Sequence, residues 1–313
     1  MPTPIDVEVA VVGGSSAGLS AALALGRSRR KVAVIDGGEP RNAPAAHAHN
    51  IYTRDGTPPD ELRRVGREQL RPYDVRFVKG YVTQAGGSRG DFRLTLEDGQ
   101  TLTAARLLLA TGVSDSLPDV PGLRELWGKS VFTCPYCHGW EVRDQPLAVL
   151  GDGDEGYGYA RLIRQWSRDL VLVTGQHGTL NDGQRGDLRT RGVTVREAGV
   201  TEYESRDGEL SALHLSNGER LERRAVFMRP PLSLRGDVHA QLGCALTGDG
   251  RRVAADGMGR TSVPGVFAAG DTAFPMHAVI VAAASGTKAA AMLNHDLIME
   301  TPEPGVREAA LAD

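Results

Sequence analysis

The chain has few cysteines, with three among 313 residues. Two of them, Cys134 and Cys137, are separated by only two residues, so a framework of structural disulfides like that of small secreted proteins is excluded. The third, Cys244, lies in the apolar stretch Gln-Leu-Gly-Cys-Ala-Leu. This setting predicts a packed small side chain rather than a reactive thiol.

Long apolar runs and an excess of positive charge are also absent. No segment has the length and purity of a transmembrane helix, and residues 1–8 lack the features of a signal peptide. Lys+Arg 36 against Asp+Glu 39 gives a net charge of -3, which does not favour nucleic acid or an anionic membrane as a partner. The sequence therefore predicts a cytoplasmic protein with one large or two ordinary domains.

A short motif near the middle of the chain combines two thiols with an imidazole. It reads Cys134-Pro-Tyr-Cys137-His138. Two cysteines at this spacing can close a redox disulfide, but the spacing is also found in zinc sites and in C-x-x-C-H haem attachment. No second CxxC or CxxH supplies further zinc ligands, and haem attachment belongs with export, so we predict no metal site. His138 can exchange protons near neutral pH, or it can be a hydrogen-bonded structural residue.

The N-terminal segment has the pattern of a dinucleotide-binding unit. A buried strand at residues 7–12 leads into a glycine-containing turn and an Ala/Leu-rich helix to about residue 29, and a second strand at 31–35 ends on Asp36. The turn places pyrophosphate at a helix N-terminus, and the acid can accept from a ribose hydroxyl. The candidate cofactor residues of the turn are Gly13, Ser15, Ser16, Ala17 and Gly18.

The same plan occurs twice along the chain. Residues 147–150, a turn from Gly151 to Gly156, a helix and residues 170–173 repeat the first unit, and each copy continues through a hairpin into a closing strand, at 107–110 and at 225–228. We therefore predict an α/β protein with two doubly wound, Rossmann-like domains.

Polar or glycine-containing positions at strand ends and in one loop complete the predicted cofactor site. The first closing strand runs into Thr111-Gly112, and a C-terminal strand ends on Gly270-Asp271. The polar loop at residues 37–56 can lie near a cofactor, or it can be a solvated surface loop. Its candidates are Arg41, Asn42 and His49.

These motifs, in this order, resemble the low-molecular-weight thioredoxin reductases. The resemblance covers nearly the whole chain and is carried by the two glycine turns, Ala110-Thr111-Gly112, the central CxxC and Gly265-Val-Phe-Ala-Ala-Gly270-Asp271. It implies an FAD-binding domain formed by residues 1–115 and 236–313, an inserted NAD(P)-type domain at 116–235, and a homodimer. It further implies that Asp271 holds the FAD ribityl chain and that His277 and Ala278 lie against the flavin ring.

The resemblance also implies roles for the two cysteines. Cys137 is expected next to the flavin, and Cys134 is expected to exchange with a thioredoxin-like protein or a small-molecule dithiol or disulfide. The combination Cys-Pro-Tyr-Cys-His-Gly139 with Pro40-Arg41-Asn42 looks like a subgroup that includes dithiol oxidases, which pass electrons from the flavin to oxygen. His138, with an ordinary pKa of about 6.5, is the expected proton acceptor and donor.

The inserted domain departs from the family pattern. Its turn carries Asp152, Asp154 and Glu155, and the next strand ends in Val173-Thr-Gly-Gln-His-Gly178 without the arginine cluster that binds the 2′-phosphate. We therefore predict that NADPH binds poorly, and that oxygen or another partner completes the redox cycle. An NAD(P)H-dependent thioredoxin reductase with atypical contacts and an FAD-bound redox sensor are the alternatives.

Overall fold

The computed structural model describes residues 5–300 of the chain. Residues 1–4 and 301–313, which are the ends of the two predicted FAD-binding segments, lie outside the described residues. The chain folds into two compact units. The first contains the residues up to Pro40, Asp60–Ser114 and the residues from Ser233 onward, and the second contains Arg41–Pro59 and Asp115–Leu232.

The first unit has helices on both sides of a mixed sheet. Its strands are β1 (Ile5–Val12), β2 (Val32–Asp36), β3 (Val75–Lys79), β4 (Val82–Ser88), β5 (Asp91–Leu96), β6 (Thr101–Leu109) and β17 (Val266–Ala268). Its helices are α1 (Ser16–Arg27), α2 (Pro59–Glu68), α7 (Val238–Gln241) and α8 (Val279–Glu300).

Within the described residues, the first unit's sheet has the order β3-β2-β1-β6-β5-β4, and β17 pairs with β6. The pairs among β3, β2, β1, β6 and β17 are parallel, whereas β4, β5 and β6 pair antiparallel. Because parallel strands end at the same sheet edge, the segments that follow β1, β2, β6 and β17 meet there.

The second unit repeats this arrangement. Its strands are β8 (Val131–Phe132), β9 (Leu147–Leu150), β10 (Leu170–Val173), β11 (Val193–Arg196), β12 (Val200–Arg206), β13 (Glu209–Leu215), β14 (Arg220–Glu222) and β15 (Ala225–Met228). Its helices are α3 (Leu123–Leu126), α4 (Pro135–His138), α5 (Gly153–Ile163) and α6 (Asp182–Thr190). A parallel sheet has the order β11-β10-β9-β15-β8, and β12, β13 and β14 form a separate antiparallel sheet.

The chain passes between the units along two short paired strands. They are β7 (Val113–Asp115) and β16 (Leu232–Leu234), which form a two-stranded sheet. The strand order and the parallel sheets confirm the predicted α/β fold with two doubly wound domains.

Burial follows the apolar pattern of the sequence. Val9, Val11 and Leu108 on one face of the first sheet pack with α1 and α8, while Ala10 and Leu107 face a second core. Among residues 5–300, no helix is long and apolar enough to cross a bilayer.

Two features differ from the sequence interpretation. The predicted helix after the second glycine turn ends at Ile163 instead of about residue 167, because the chain turns at Trp166, whose N–H bonds the Ile163 carbonyl. Residues 41–59 group with the second unit, although the sequence places them in the first domain. Their contacts explain this grouping, since Arg41 bonds Asp115.

Candidate active site

The first glycine turn, residues 13–18, packs too closely for side chains at its glycines. A Cβ on Gly13 would lie 2.2 Å from the Ala110 carbonyl oxygen, and one on Gly18 would lie 1.8 Å from the Gly13 oxygen. Gly13 also has a φ of +111°, which favours glycine. Ser15 caps α1 without a side-chain hydrogen bond, and the first turn of the helix has no acid. This backbone fits the approach of a pyrophosphate to a helix N-terminus.

Asp36 lies at the end of β2, beside the first glycine turn. A Cβ on Gly14 would come within 2.7 Å of the Asp36 side chain. The carboxylate accepts from the Gly38 N–H at 3.2 Å and forms an ion pair with Arg67 of α2. The sequence analysis missed Arg67, because nothing in its helical spacing marks a contact with β2.

A buried threonine joins the two other loops at this edge. The Gly112 N–H donates to Thr272 Oγ1 at 2.8 Å, and the Thr111 hydroxyl lies 3.4 Å from the same oxygen. Thr272 follows Gly270 and Asp271 in a short 3₁₀ turn after β17. The structure thereby brings Thr111 and Gly112 together with Gly270 and Asp271. The sequence analysis missed Thr272, although its place directly after Asp271 was a usable signal.

The turn after β17 is also tied to α8. The Gly270 N–H donates to Ser285 Oγ at 2.8 Å. A Cβ on Gly286 would lie 2.1 Å from the Ala17 carbonyl oxygen, so α8 packs closely on α1 beside the first glycine turn. His277 and Ala278 are half-buried and directly precede α8.

The three loop candidates lie in the second unit. Arg41 donates to both carboxylate oxygens of Asp115, at 2.8 and 2.6 Å, and Asn42 is half-buried beside it in sequence. The His49 ring nitrogens lie 3.5 Å from Asp55 and Glu141 carboxylate oxygens. The predicted cofactor contacts of Arg41, Asn42 and His49 stay predictions.

The CxxC motif forms a disulfide at the start of a short helix. Cys134 is the N-cap residue of α4, Pro135 is its first residue, and the Cα atoms of Cys134 and Cys137 are 5.3 Å apart. Proline is well suited to this first position because it needs no hydrogen-bond acceptor there. Both cysteines are half-buried, so their sulfurs can take part in thiol–disulfide exchange.

The motif continues into a glycine that permits close packing. A Cβ on Gly139 would lie 2.5 Å from the Pro135 oxygen and 2.7 Å from Trp166 Nε1. The Tyr136 ring meets the Trp166 ring edge-on, with centroids 5.6 Å apart. The Tyr159 hydroxyl, in turn, donates to the Thr133 carbonyl at 2.7 Å, directly before Cys134. These contacts hold α4 in place within the second unit, and their partners outside the sequence motif are Trp166, Tyr159 and Thr133.

The surroundings of His138 change its expected charge. Its ring stacks on Phe132, with centroids 4.5 Å apart and an interplanar angle of 18°, and it meets the His49 ring edge-on at 6.5 Å. Burial, and to a smaller extent the charge of His49, lowers the pKa of His138 from 6.5 to about 4. The expectation of an ordinary pKa was therefore wrong, because burial and the charge of His49, which is distant in sequence, act on this ring only in the folded chain. His138 is neutral at pH 7.

The second glycine turn, residues 151–156, retains the backbone of a dinucleotide site. A Cβ on Gly156 would lie 2.3 Å from the Gly151 carbonyl carbon, so strand and helix pack as closely as in the first turn. Asp152 accepts from the Thr179 N–H at 2.8 Å and from its hydroxyl at 2.9 Å. Burial acts to raise the pKa of Asp152, but hydrogen bonds from Thr179 and Gly153 lower it, so the carboxylate is ionised at neutral pH.

The other two acids of the second glycine turn also have partners. Asp154 accepts from Gln184 Nε2 at 2.6 Å, and Glu155 lies 3.9 Å from an Arg229 guanidinium nitrogen. The Arg229 guanidinium is 4.2 Å from the centre of the Tyr159 ring. Each of the three acids at this turn therefore has a partner within the chain, and Glu155 is the one that faces an arginine. Within residues 5–300, no cluster of three or more His, Cys, Asp or Glu side chains could hold a metal ion.

Comparison with known proteins gives one family. The family model described as pyridine nucleotide-disulphide oxidoreductase matches residues 7–286. The chain is 33% identical over 308 residues to thioredoxin reductase sirT of Leptosphaeria maculans, covering 93% of this chain and 94% of the relative. It is 32% identical over 317 residues to thioredoxin reductase tcpT of Claviceps purpurea, covering 96% and 97%.

Solved structures give the same result. The crystal structure of HlmI is 40% identical with a TM-score of 0.88 and covers 94% of this chain and 93% of its own. An oxidoreductase from Agrobacterium tumefaciens is 34% identical with a TM-score of 0.89, covering 95% and 100%. Because it combines two glycine turns and a CxxC disulfide with these similarities, the chain belongs to the pyridine nucleotide-disulphide oxidoreductase family and is thioredoxin reductase-like.

Proposed function

We propose that this protein is an FAD-dependent dithiol–disulfide oxidoreductase. Its flavin exchanges electrons with the dithiol on one side and, on the other, with oxygen or a redox partner that is not NADPH. The observation that carries the proposal is the pairing of a Cys134–Cys137 disulfide with a second glycine turn whose charged side chains are engaged within the chain. The resemblance to dithiol oxidases through Cys-Pro-Tyr-Cys-His-Gly139 agrees with it.

The first unit is the proposed FAD site. Gly13 to Gly18 would accommodate the pyrophosphate, Asp36 would accept from the ribose, and Asp271 would bind the ribityl chain. The close packing of Gly13 and Gly18, and the Thr272 bonds that join Thr111-Gly112 to Gly270-Asp271, support this assignment. Bound FAD supplies a two-electron acceptor for the enzyme dithiol.

Thiol–disulfide exchange at Cys134 is the proposed chemical step. A substrate thiolate attacks Cys134 Sγ, the bond to Cys137 Sγ breaks, and Cys137 leaves as a thiolate. The second substrate thiol then attacks the substrate sulfur that is bound to Cys134, and Cys134 Sγ leaves as a thiolate. The substrate is oxidised to a disulfide, and the two cysteines hold the two electrons. Each substrate thiol loses a proton to become the attacking thiolate, and the His138 ring, which is neutral at pH 7, is the proposed acceptor of that proton.

The second unit does not favour NADPH. A 2′-phosphate needs arginine or lysine partners, and two arginines of this unit are paired with acids, Arg185 of α6 with Glu197 and Arg196 at the end of β11 with Glu219. Arg229, in the loop after β15, faces Glu155 and Tyr159. A nucleotide would have to break these pairs before gaining the same charge–charge contacts.

An NADPH-dependent thioredoxin reductase is the second candidate. The names of sirT and tcpT favour it, because both relatives are called thioredoxin reductases. In that case the arginines at the second unit would leave their acids on nucleotide binding, and the substrate would be a thioredoxin-like protein. The homodimer that the resemblance implies and the cytoplasmic location that the sequence predicts stay predictions.

Anaerobic titration separates the two candidates. The protein as purified is mixed with NADPH in one cuvette and with dithiothreitol in another, and flavin absorbance near 450 nm is followed before and after air is admitted. We expect rapid bleaching with dithiothreitol, recovery in air, and little bleaching with NADPH. Rapid bleaching at micromolar NADPH, with turnover on thioredoxin, would support the second candidate instead.

A further inference from the structure

A second histidine, His49, lies next to His138, the histidine that follows the disulfide. The His49 and His138 rings form a T-shaped pair with a centroid distance of 6.5 Å and an interplanar angle of 86°. His49 comes from the segment Arg41–Pro59, which groups with the second unit, and His138 ends α4. The His138 ring also stacks on the Phe132 ring, which cannot carry a proton.

Both ring nitrogens of His49 face carboxylates. Nδ1 lies 3.5 Å from Asp55 Oδ2, and Nε2 lies 3.5 Å from Glu141 Oε1. The side chain of His49 is 21% exposed, whereas those of Glu141 and Asp55 are 38% and 66% exposed. Exposure thus increases outward from His49, and the last groups of the series are in contact with water. The His47 ring is another titratable neighbour, with its centroid 6.2 Å from that of the His49 ring.

The charge of one acid in this series is settled. The Asn50 N–H donates to Asp55 at 2.5 Å and lowers the pKa of Asp55, and the His49 side chain acts in the same direction. Asp55 is therefore an anion at neutral pH. A proton on His49 Nδ1 faces a negative charge, and a proton on Nε2 faces Glu141.

We propose that His49, held between Asp55 and Glu141, is the positioning residue through which His138 exchanges protons with solvent during dithiol exchange. The proposal rests on the proposed dithiol–disulfide chemistry of Cys134 and Cys137. It differs from the sequence interpretation, which made His49 a cofactor ligand.

The step balances without an additional oxidant. As a substrate thiol attacks Cys134, its proton goes to the His138 ring, its sulfur bonds to Cys134, and Cys137 leaves as a thiolate. The charged His138 ring is half-buried and stacked on Phe132, and it releases its proton toward His49 and then to water near Glu141. Only the proton moves in this relay, and the electron pair remains on the cysteines.

The test measures disulfide reduction rather than turnover of the flavin. The rate at which dithiothreitol reduces Cys134–Cys137 is determined anaerobically by rapid acid quench and thiol labelling, from pH 5 to 9. The variants are His49→Gln and Glu141→Gln, and His47→Gln is the matched control from the same loop. FAD content is measured for each protein.

We expect the rate of His49→Gln to fall at least about tenfold at pH 7, in the range of general acid–base effects. Added imidazole should restore most of the lost rate, because a diffusing base replaces the missing ring. Glu141→Gln should fall about threefold and change the shape of the pH profile, and His47→Gln should match the wild type.

Three results overturn the proposal. A wild-type rate in His49→Gln would do so, as would a slow rate that imidazole does not restore. Loss of FAD from His49→Gln with an unchanged reduction rate would return His49 to the cofactor site. In each of these cases the proposed function is still supported if the wild type exchanges with dithiothreitol and its flavin absorbance recovers in air. If the wild type itself does not exchange with dithiothreitol, both are wrong.

Discussion

Acidification should destabilise the second unit through one side chain, His138. Its pKa is lowered from 6.5 to about 4 in the folded protein, chiefly by burial. Between these two values the unfolded chain binds a proton that the folded chain does not. The free energy of unfolding therefore falls as the pH drops from about 6.5 to about 4, and this group contributes no further change below that range. Above pH 6.5 the ring is neutral in both states and contributes nothing.

The size of the effect follows from the shift. A lowering from 6.5 to about 4 corresponds to about 3 kcal/mol when fully developed, and about 2.5 kcal/mol is lost by pH 4.5. Carboxylates elsewhere in the chain also titrate over this interval. They do so equally in a variant that differs only at position 138, so the difference between the two proteins isolates the histidine.

Urea unfolding at pH 7.5 and at pH 4.5 measures this difference. Tryptophan fluorescence is a suitable signal, because Trp127, Trp140 and Trp166 all lie in the second unit. Between the two pH values, the free energy of unfolding of His138→Gln should fall by about 2.5 kcal/mol less than that of the wild type. The exposed His177, changed to Gln, is the control and should behave as the wild type does. Equal losses in wild type and His138→Gln would refute the reasoning about burial.

Three further outcomes are expected. Gly18→Val should abolish FAD binding, since its Cβ would lie 1.8 Å from the Gly13 oxygen, while Gly158→Ala, which meets nothing within 4 Å, should keep a full complement of flavin by absorbance. Cys134→Ser should abolish exchange but retain a thiolate–flavin charge-transfer band, whereas Cys137→Ser should lose that band, and the reverse pattern would exchange the two roles. Gly139→Ala should cost about 1–3 kcal/mol in urea unfolding, because its Cβ would lie 2.5 Å from the Pro135 oxygen, and an unchanged midpoint would contradict this packing.

Much of the fold could be predicted from local pattern. The strands Leu147–Leu150 and Leu170–Val173 are apolar runs bounded by turn residues, and the structure has them at the predicted positions. Buried parallel strands need nearly continuous apolar sequence, so their signal is contained in a few adjacent residues. The helix Asp182–Thr190 was not predicted, because it is polar and its buried side chains are few.

The sequence also determined the chemical groups that are available. Glycines at positions 13 and 18 and cysteines at 134 and 137 are required by backbone contact and by disulfide chemistry, and both requirements act over a few residues. Such short-range requirements leave a recognisable spacing. The family could therefore be inferred before the structure was considered.

Tertiary structure alone decided how those groups are charged and paired. The pKa of His138 depends on burial and on the charge of His49, and the acids of the second glycine turn are engaged by Thr179, Gln184 and Arg229. Burial and ion pairing arise between residues that are distant in sequence and adjacent only after folding. No spacing along the chain encodes them, because they depend on which side chains the two sheets bring together.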